Sequence, residues 1–442
     1  MLRGLPRARR PARARGAGRR DPRLRNVPEL LRPRGPPRRG TRDRHARDRR
    51  PARRSGHHRP PVNLSGYLDN AATACPKAPG VAEAVASCLA SNCGNPGRGA
   101  HRAAIEAARI REQVRTAAAR RLGGDPERTL FGPGATYWIN AVLASRLGDG
   151  GTVAVSALEH NAVMRPLRRL QQTRGVEIVV VEGADGTGVP GADEFADAVR
   201  SSGARLAVAT HASNVTGAVL PVERIAQAIA PVPLLVDGAQ TAGAIPFDLA
   251  SSGVAAFACS AHKGLLAPPG LGLLLLAPGF DIDPPVLGGT GSRSDSEQMP
   301  DHLPDRLEPG TPNLPAIAGL GAALAFLERE GADTLGDRLG RLGARLLDGL
   351  AGLPGVELVG VDPDAPRTPT VSFRVPGRDL GELARALDRR HGLMLRAGLH
   401  CAPAAHRRLG TFPDGTLRAS PGPFTEEAAI DRLVDALREE LS

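Results

Sequence analysis

The stretch AAFACSAHKGLL (residues 255–266) places a lysine directly after an apolar run. The run AAFAC is short and β-prone, which is typical of a buried strand, and Ser260, His262 and Lys263 follow at its carboxyl end. The chain has only one other lysine, Lys77, against fifty-six arginines. Because a lysine can lose its proton and attack a carbonyl, whereas an arginine stays protonated, the first question is whether Lys263 forms a Schiff base or is an ordinary surface lysine.

Runs of the same kind recur along the chain. The predicted strands are GTVAVS (151–156), VEIVVVE (176–182), ARLAVAT (204–210), VPLLVDG (232–238), AAFACS (255–260) and GLGLLLL (270–276). Amphipathic helices are predicted at 81–91 and 101–123, and helical stretches separate most of the strands. Continuous apolar strands that alternate with helices indicate an α/β fold with a mainly parallel sheet covered on both faces.

The pattern changes after residue 315, where long helices lead to the β-prone TPTVSFRV (368–375) and a final helix. This change predicts a smaller α+β domain at the C-terminal end. The predicted organisation is a tail (1–60), an N-terminal segment that joins the small domain (61–80), a large domain that would bind the ligand (81–320) and a small C-terminal domain (321–442).

The net charge of +12 on the 442 residues lies in the tail. Residues 1–60 contain twenty-two arginines and four acidic residues, a charge of +18, which leaves −6 for residues 61–442. The tail is rich in Arg, Pro and Gly without apolar periodicity, so we predict that it is disordered. It lacks the apolar core of a signal peptide. A start codon assigned too early would explain it, and a nucleic-acid-binding arm is the alternative, although aromatic residues for base stacking are missing.

Cysteine usage narrows the class of protein further. The five cysteines are odd in number and include no C-x-x-C pair, which argues against a disulfide framework and a zinc site. No metal is predicted. The longest apolar run, LGLLLLA (271–277), is too short to span a membrane. We therefore expect a soluble cytoplasmic protein.

Polar residues also follow three other predicted strands. They are Glu159 and His160 after the first, His211, Ser213 and Asn214 after the third, and Asp237 and Gln240 after the fourth. Ligands of an open parallel sheet bind beyond the carboxyl ends of its strands. Four such strand ends in one chain therefore predict a single site that includes Lys263.

A lysine amine together with a buried carboxylate such as Asp237 is what pyridoxal phosphate chemistry requires. The ring of this cofactor acts as an electron sink when its nitrogen is protonated, and a neighbouring carboxylate enforces that protonation. Its phosphate is best bound at a helix start, and GPGATYWIN (132–140) offers small glycines followed by Thr136. Ser260 and His262 would complete the phosphate site.

At this point the residues resemble the class V aminotransferase family of fold-type I pyridoxal phosphate enzymes, and within it the cysteine desulfurases and selenocysteine lyases. The resemblance covers about residues 66–442. The motifs that carry it are YLDNAATACPK (67–77), NPGRGAHR (95–102), GATYWIN (134–140), EHNAV (159–163), SNVTG (213–217), VDGAQ (236–240), CSAHK (259–263), GGTGS (288–292), EPGTPN (308–313), RAGLHCAP (396–403) and TLRASPGPF (416–424). Their common order and spacing make the match specific.

The resemblance implies roles around the cofactor ring. Lys263 would hold the cofactor covalently and shuttle protons, and Asp237 would pair with the pyridine nitrogen. His160 would stack on the ring, Gln240 would lie by the ring hydroxyl, and Asn214 would sit near the polar edge of the ring.

The resemblance also implies a phosphate site, a substrate site and a dimer. The phosphate ligands would be Gly134, Ala135, Thr136, Ser260 and His262. Thr290 would reach the phosphate of the neighbouring subunit, which implies a homodimer with shared sites. Arg418 would hold the substrate α-carboxylate, with Arg396 as a helper and Arg98 in the substrate-side segment.

The reaction depends on Cys401 in RAGLHCAP. A thiol beside two basic groups, His400 and Arg396, is favoured as a nucleophilic thiolate. The resemblance implies that Cys401 takes the sulfur of L-cysteine as a persulfide while alanine leaves, and that a sulfur-acceptor protein is a possible partner. Cys259 lies within an apolar strand and is interpreted as a packing residue.

Two other functions stay open. One is another class V enzyme, such as a selenocysteine lyase, an aminotransferase or another lyase, that does not use Cys401. The other is a nucleic-acid-binding protein that acts through the basic tail. Two positions depart from the family pattern: Tyr137 and Trp138 follow Thr136, and Gly97 stands where several desulfurases have a histidine. Both could alter the pocket.

Overall fold

Two β-sheets organise the part of the chain that the computed structural model describes, which is residues 62–92, 94–97 and 99–442. The predictions for the tail and for Arg98 therefore lie outside the described residues. The large sheet consists of β1 (Thr129–Gly132), β2 (Thr152–Ser156), β3 (Glu177–Val181), β4 (Leu206–Thr210), β5 (Leu234–Asp237), β6 (Ala256–Ser260) and β7 (Gly272–Leu276). The second sheet consists of β8 (Glu357–Leu358), β9 (Val371–Arg374), β10 (Arg396–Gly398) and β11 (Thr416–Ala419).

Helices cover both sheets. They are α1 (Val81–Ser87), α2 (Arg102–Leu122), α3 (Ala135–Leu147), α4 (Asn161–Arg174), α5 (Ala192–Ser202), α6 (Val222–Ile229), α7 (Leu249–Ser252), α8 (Leu314–Glu330), α9 (Ala332–Ala351), α10 (Leu380–His391), α11 (Pro403–Arg408) and α12 (Glu427–Leu441). Within the described residues, no helix is both long enough and apolar enough to cross a bilayer.

The large sheet has the order β1-β7-β6-β5-β4-β2-β3. The five neighbouring strands β3, β2, β4, β5 and β6 pair in parallel. The strand β7 lies between β6 and β1 and is antiparallel to both. All six predicted strands are present, so the prediction of a mainly parallel α/β sheet is confirmed. The sequence analysis missed β1, whose four residues are too few for a periodic signal.

Burial along β5 explains why its residues read as a continuous apolar run. Leu234 and Val236 pack into the core cluster on one face of the sheet, and Leu235 packs into the cluster on the other face. Side chains alternate between the two faces of a strand, and both faces of this sheet carry helices. Asp237 is the next residue and ends the strand while still only 4% exposed.

The second sheet is antiparallel throughout, with β10 at one edge and the order β10-β11-β9-β8. Its core joins Phe373 and Leu417 to Leu346 of α9 and Leu433 of α12. The N-terminal segment packs there too, because Leu68 belongs to the same cluster. Residue 320, the predicted domain boundary, lies inside α8, and the division into domains stays a prediction.

Candidate active site

Three parallel neighbours, β4, β5 and β6, bring their carboxyl ends to one edge of the large sheet. Thr210 pairs in register with Asp237, and Asp237 pairs with Ala258 two residues before the end of β6. Lys263 follows three residues after Ser260, in a turn whose Leu266 nitrogen donates to the Lys263 carbonyl oxygen at 2.8 Å. This register agrees with the prediction that the ends of these strands bring their polar residues to one edge of the sheet.

Asp237 and Lys263 form the charged centre of this edge. Burial raises the pKa of Asp237, and the positive charge of Lys263 acts in the opposite direction. Burial also lowers the pKa of Lys263, with Asp237 opposing this and Arg418 and Arg396 adding to it. A lower pKa increases the neutral fraction of the amine, which is the form that attacks a carbonyl. We refer to Asp237, Ser260, His262 and Lys263 as the Lys263 wall.

Glu159 connects the ends of β2 and β4 at this edge through hydrogen bonds. The sequence analysis did not assign this role. Its side chain is fully buried, and it accepts hydrogen bonds from Ser156 Oγ at 2.5 Å and from the Thr210 nitrogen at 2.7 Å. Burial, with a contribution from Asp237, raises its pKa to about 8, so the carboxyl is largely protonated at neutral pH. The only signal in the sequence was its position after a strand.

His160 caps α4 with its ring. Nδ1 accepts a hydrogen bond from the Ala162 nitrogen at 3.0 Å, which assigns the proton of the neutral ring to Nε2. Burial and the positive charges of Lys263 and Arg396 lower the pKa of His160 to about 4. His160 is therefore neutral at physiological pH, as a ring that stacks on a flat ligand should be.

A cradle for an anion lies at the start of α3. Ser260 Oγ accepts a hydrogen bond from the Ala135 nitrogen at 3.1 Å, which ties the helix start to the end of β6. Gly272 is required here, because an added Cβ would lie 2.5 Å from the Gly134 Cα. The cavity has a volume of about 570 Å³ and is lined by Pro133, Gly134, Ala135, Thr136, Tyr137, Asn140, Ser260, His262, Pro269 and Gly270. The predicted phosphate residues of this chain therefore line one cavity.

The two aromatic residues after Thr136 have different positions. Trp138 is fully buried in the core, beneath Gly132, and does not line the cradle. Tyr137 is half-buried and lines the cradle cavity. Only one of the two aromatic residues therefore shapes the pocket.

Lys77 belongs to the site, although the sequence analysis gave it no role. Its Nζ donates to the His262 carbonyl oxygen at 2.8 Å and to Thr73 Oγ1 at 3.1 Å. Thr73 Oγ1 is also 3.0 Å from Nδ1 of His262. Both lysines of the chain thus act at the Lys263 wall, one within it and one behind it. Burial lowers the pKa of His262 to about 4, and the charges of Lys263 and Lys77 contribute.

Arg418 is buried on β11. It is far from Lys263 in the sequence, but it is close enough in space for its charge to act on Lys263. Nη2 donates to Asp69 Oδ1 at 2.6 Å and Nη1 donates to the Asn214 carbonyl oxygen at 2.9 Å. Its Nε is buried and has no hydrogen-bond partner among the described residues. Asp69 was missed as a functional residue, although a buried arginine requires a carboxylate partner.

The Cys401 loop, residues 396–402, places an exposed thiol beside a cation. Sγ of Cys401 is 3.8 Å from Nη2 of Arg396. His400 and Cys401 both have left-handed backbone conformations, with φ values of 47° and 60°. Residues other than glycine rarely adopt this conformation. The loop is held by Asn214 Nδ2, which donates to the His400 carbonyl oxygen at 2.7 Å, and by the Asn161 nitrogen, which donates to the Cys401 carbonyl oxygen at 2.8 Å.

The two basic neighbours predicted for Cys401 are not equivalent. Burial and the charge of Arg418 lower the pKa of His400 to about 2, so its ring is neutral at physiological pH. The ring of His400 is only 4% exposed and bonds to Thr416 Oγ1. Arg396 alone supplies positive charge within the loop. Cys259 is fully buried in β6, and burial raises its pKa to about 12, which agrees with a packing role.

Other predicted residues are placed less directly. Gln240 Nε2 donates to the Ala71 carbonyl oxygen at 3.0 Å. Thr290 Oγ1 bonds to Ser292 within its own loop, so this chain alone does not bring Thr290 to its own cradle. Gly97 packs beside Gly291, where an added Cβ on Gly291 would lie 3.2 Å from the Gly97 Cα.

The residues present fit pyridoxal phosphate. The helix start at Ala135 with Ser260 suits a phosphate, because backbone amides at a helix N-terminus bind anions. A buried carboxylate at Asp237 suits a protonated ring nitrogen, and the half-buried Lys263 suits the aldehyde. The unpartnered Nε of Arg418 suits the carboxylate of an amino acid. The fold and this donor set define an enzyme of the pyridoxal phosphate class.

The aminotransferase class-V family model matches residues 66–433, and this chain belongs to that family. The family predicted from the motifs is confirmed. A probable cysteine desulfurase of Pyrococcus abyssi is 30% identical over 386 residues, which cover 84% of this chain and 93% of that protein. A probable cysteine desulfurase of Chlamydia trachomatis is 32% identical over 386 residues, with 84% and 94% covered.

Solved structures give the same result. The apo structure of a cysteine desulfurase from Thermococcus onnurineus has a TM-score of 0.78 and 27% identity, and the match covers 84% of this chain and 94% of that one. The cysteine desulfurase CsdA of Escherichia coli has a TM-score of 0.74 and 28% identity, with 85% and 95% covered. The predicted fold class is therefore confirmed.

Proposed function

We propose that this chain is a pyridoxal phosphate-dependent cysteine desulfurase that converts L-cysteine to L-alanine and takes the sulfur on Cys401. The observation that carries the proposal is the exposed Cys401 thiol, 3.8 Å from Arg396, on a loop whose charges act on Lys263 across the site. The similarity to proteins described as cysteine desulfurases supports the same conclusion.

The chain's own residues divide the work between binding and proton transfer. Pyridoxal phosphate, when bound, supplies an electron sink for negative charge at the substrate Cα. Arg418 binds the substrate carboxylate through its unpartnered Nε, while Asp69 and Asn214 hold the guanidinium in place. Lys263 Nζ, whose pKa is lowered by burial, accepts the Cα proton in its neutral form.

Sulfur transfer then falls to Cys401. Its thiolate attacks the sulfur of the substrate, and the bond between Cβ and sulfur breaks with its electron pair staying on the carbon side. Cβ takes up a proton, so the sulfur stays on Cys401 as a persulfide and alanine leaves. Arg396 holds the attacking sulfur in place, because its Nη2 donates to Sγ of Cys401 at 3.8 Å. The thiol of Cys401 is exposed and therefore accessible to a second molecule.

We further propose that the protein acts as a homodimer in the cytoplasm and passes sulfur to an acceptor protein. Gly97 and Gly291 lie against each other, and exposed hydrophobic residues occur within eight positions of one or the other in the sequence, namely Leu89 at 64%, Ile105 at 59% and Leu287 at 72%. Exposed large hydrophobic side chains are typical of surfaces that a partner covers, which supports a dimer. The absence of paired cysteines in the sequence supports a reducing compartment.

The test is the release of sulfide and alanine from L-cysteine by the purified protein. We expect Lys263→Ala to lose covalent attachment of pyridoxal phosphate and both products, with a fall on the order of a thousandfold or more. Cys401→Ala should keep the attached cofactor and lose desulfuration. Cys259→Ala is the matched control for removal of a thiol and should keep the activity at roughly the parent level.

One outcome would replace this function with another from the same family. If Cys401→Ala produces alanine and sulfide as fast as the parent chain, sulfur transfer through this thiol is wrong. The substrate would then be sought among selenocysteine and other amino acids with the same two variants.

A further inference from the structure

A groove lies directly beside the Cys401 loop, between α4 and α11. Its volume is about 670 Å³. Asn161, the first residue of α4, lines the groove, and its nitrogen donates to the Cys401 carbonyl oxygen at 2.8 Å. Pro403 and Ala404, at the start of α11, also line it. The groove is therefore continuous with the backbone that carries the candidate nucleophile.

The charge of this groove is opposite to that of the chain around it. Its lining contains five arginines and one acidic residue, namely Arg165, Arg168, Arg169, Arg407, Arg408 and Glu182. Residues 61–442 as a whole carry −6. A cationic groove on an anionic body attracts anionic partners and repels cationic ones.

Most of this positive charge is not neutralised by other described residues. Arg165 and Arg169 are exposed, and the guanidinium of neither makes a hydrogen bond or an ion pair to another described residue. Among the described residues, the guanidinium of Arg168 bonds to the neutral side chain of Gln171. Arg408 is the exception, because it donates to the carbonyl oxygens of Gly183 and Asp185 and lies 3.9 Å from Glu182.

We propose that this groove binds an acidic segment of a protein that accepts sulfur from Cys401 through a thiol of its own. This inference rests on the function proposed above. Arg165, Arg168 and Arg169 lie at i, i+3 and i+4 and so share one face of α4, and a guanidinium binds a carboxylate through two parallel hydrogen bonds. An acidic segment laid against this face brings its neighbouring residues to the Cys401 loop.

Other occupants fit the groove less well. A single-stranded nucleic acid would need aromatic side chains for stacking, and none is found among the described residues that line this groove. The chain's own residues 1–60 carry twenty-two arginines and would be repelled by the same charge. Charge complementarity therefore favours an acidic polypeptide.

The transfer step balances without an added oxidant or reductant. The acceptor thiolate attacks the outer sulfur of the Cys401 persulfide, and a new sulfur–sulfur bond forms on the acceptor. The sulfur–sulfur bond to Cys401 breaks, and Cys401 leaves as a thiolate. One thiolate is consumed and one is released, so the number of electrons and protons on the two proteins together is unchanged.

The first experiment measures binding alone, in the absence of L-cysteine. The probe is a fluorescein-labelled, glutamate-rich peptide with one central serine, and its affinity for the full-length protein is measured by fluorescence anisotropy. We expect Arg169→Glu to weaken binding by about tenfold, since reversing one charge loses one ion pair and adds one repulsion. Arg174→Glu makes the same charge change on the same helix outside the groove and should bind the peptide like the parent chain.

Three results would overturn the binding site. They are equal affinity of Arg169→Glu and Arg174→Glu, equal binding of a lysine-rich peptide, and tighter Arg169-dependent binding of a uridine-rich RNA oligonucleotide. Binding of the glutamate-rich peptide that weakens with added salt, together with the loss in Arg169→Glu, supports the proposal.

The second experiment separates this inference from the proposed function. Sulfide release with dithiothreitol as the acceptor tests the enzyme, and Arg169→Glu should match the parent chain in it. Transfer of sulfur to a glutamate-rich peptide with one central cysteine should fall about tenfold in Arg169→Glu and stay unchanged in Arg174→Glu. Peptide transfer that is equal in both variants, with normal dithiothreitol activity, overturns the acceptor groove and leaves the desulfurase intact. No activity with either acceptor overturns the desulfurase and the transfer step, whatever the binding result.

Discussion

The Lys263 wall and the Cys401 loop face the same site but are built in opposite ways. Asp237 ends a parallel strand in the middle of the large sheet and is 4% exposed. Cys401 follows β10, an edge strand of the second sheet, and its thiol is exposed. The wall is built of extended strands and their turns, whereas the loop holds two successive left-handed residues that are not glycine.

This difference fits the role that we propose for each side. A group that holds a cofactor and moves protons must keep its position and its pKa, which central strands and burial provide. A nucleophile that collects a sulfur atom and hands it on must be reachable from outside, which an edge strand and an exposed loop provide. The strained backbone of the loop is held by hydrogen bonds from Asn214 and Asn161 to its carbonyl oxygens.

The largest difference between the two sides should follow from removing the buried carboxylate of the Lys263 wall. We expect Asp237→Asn to reduce sulfide release on the order of a hundredfold to a thousandfold, because the cofactor would lose the charge that keeps its ring nitrogen protonated. The rate at which iodoacetamide alkylates Cys401 should stay at the parent value. A parallel fall in alkylation would show that the two sides are one coupled unit.

The pH dependence of stability sharpens the comparison through two buried histidines, one next to the Lys263 wall and one in the Cys401 loop. His211, whose nitrogen donates to the Asp237 carbonyl oxygen at 2.9 Å, is 3% exposed, bonds to Thr241 Oγ1 and has a pKa lowered by burial to about 4. His400 of the Cys401 loop has a pKa of about 2. Both values lie below that of an unfolded histidine, so the unfolded chain binds protons first as the pH falls. Each ring therefore contributes stability that is complete above about pH 6.5 and is lost as the pH falls toward the folded pKa.

The parent chain should lose unfolding free energy when the pH falls from about 7 to about 5. We expect this loss to be smaller by about 2 kcal/mol in His211→Gln and in His400→Gln, because each variant lacks one of the two rings. Urea denaturation of the parent chain and both variants at the two pH values measures this. Below about pH 4 the two variants should diverge, because His400 stays neutral to lower pH than His211. An unchanged pH slope in both variants would contradict the buried, neutral state of the rings.

A smaller effect should come from Lys77, which supports the Lys263 wall from behind. We expect Lys77→Met to weaken the binding of pyridoxal phosphate by about tenfold, because the His262 carbonyl oxygen and Thr73 would lose a charged hydrogen-bond donor. Lys77→Arg keeps a donor and the charge and should lie between the two. Spectroscopic titration measures the dissociation constant of the cofactor. Equal constants for the parent chain and both variants would contradict a role of Lys77 in cofactor binding.

The sequence allowed good predictions wherever a short segment carries its own signal. The six strands from β2 to β7 were visible because each is a continuous apolar run, and the residues after them were expected at one edge because parallel strands end on the same side. The strands β1, β8, β10 and β11 were not predicted as strands. Each has only two to four residues, and β10 and β11 contain arginines that interrupt an apolar pattern.

The roles of Asp69, Lys77 and Glu159 could not be predicted, because each depends on a partner that is distant in the sequence. Asp69 pairs with Arg418, 349 residues away, and Lys77 bonds to the carbonyl oxygen of His262, 185 residues away. Glu159 bonds to the nitrogen of Thr210, 51 residues away. Residue type and local periodicity contain no information about such pairs.

The sequence by itself determined the α/β class, the edge at which the site lies, the lysine and the family, because these depend on local apolar runs and on ordered motifs. Only the tertiary structure decided that His400 is neutral, that Trp138 faces the core while Tyr137 faces the cradle, and that arginines from α4 and α11 form one groove. The physical reason is that pKa values and surface charge depend on burial and on neighbours in space. Folding brings those neighbours together from positions that are far apart in the chain.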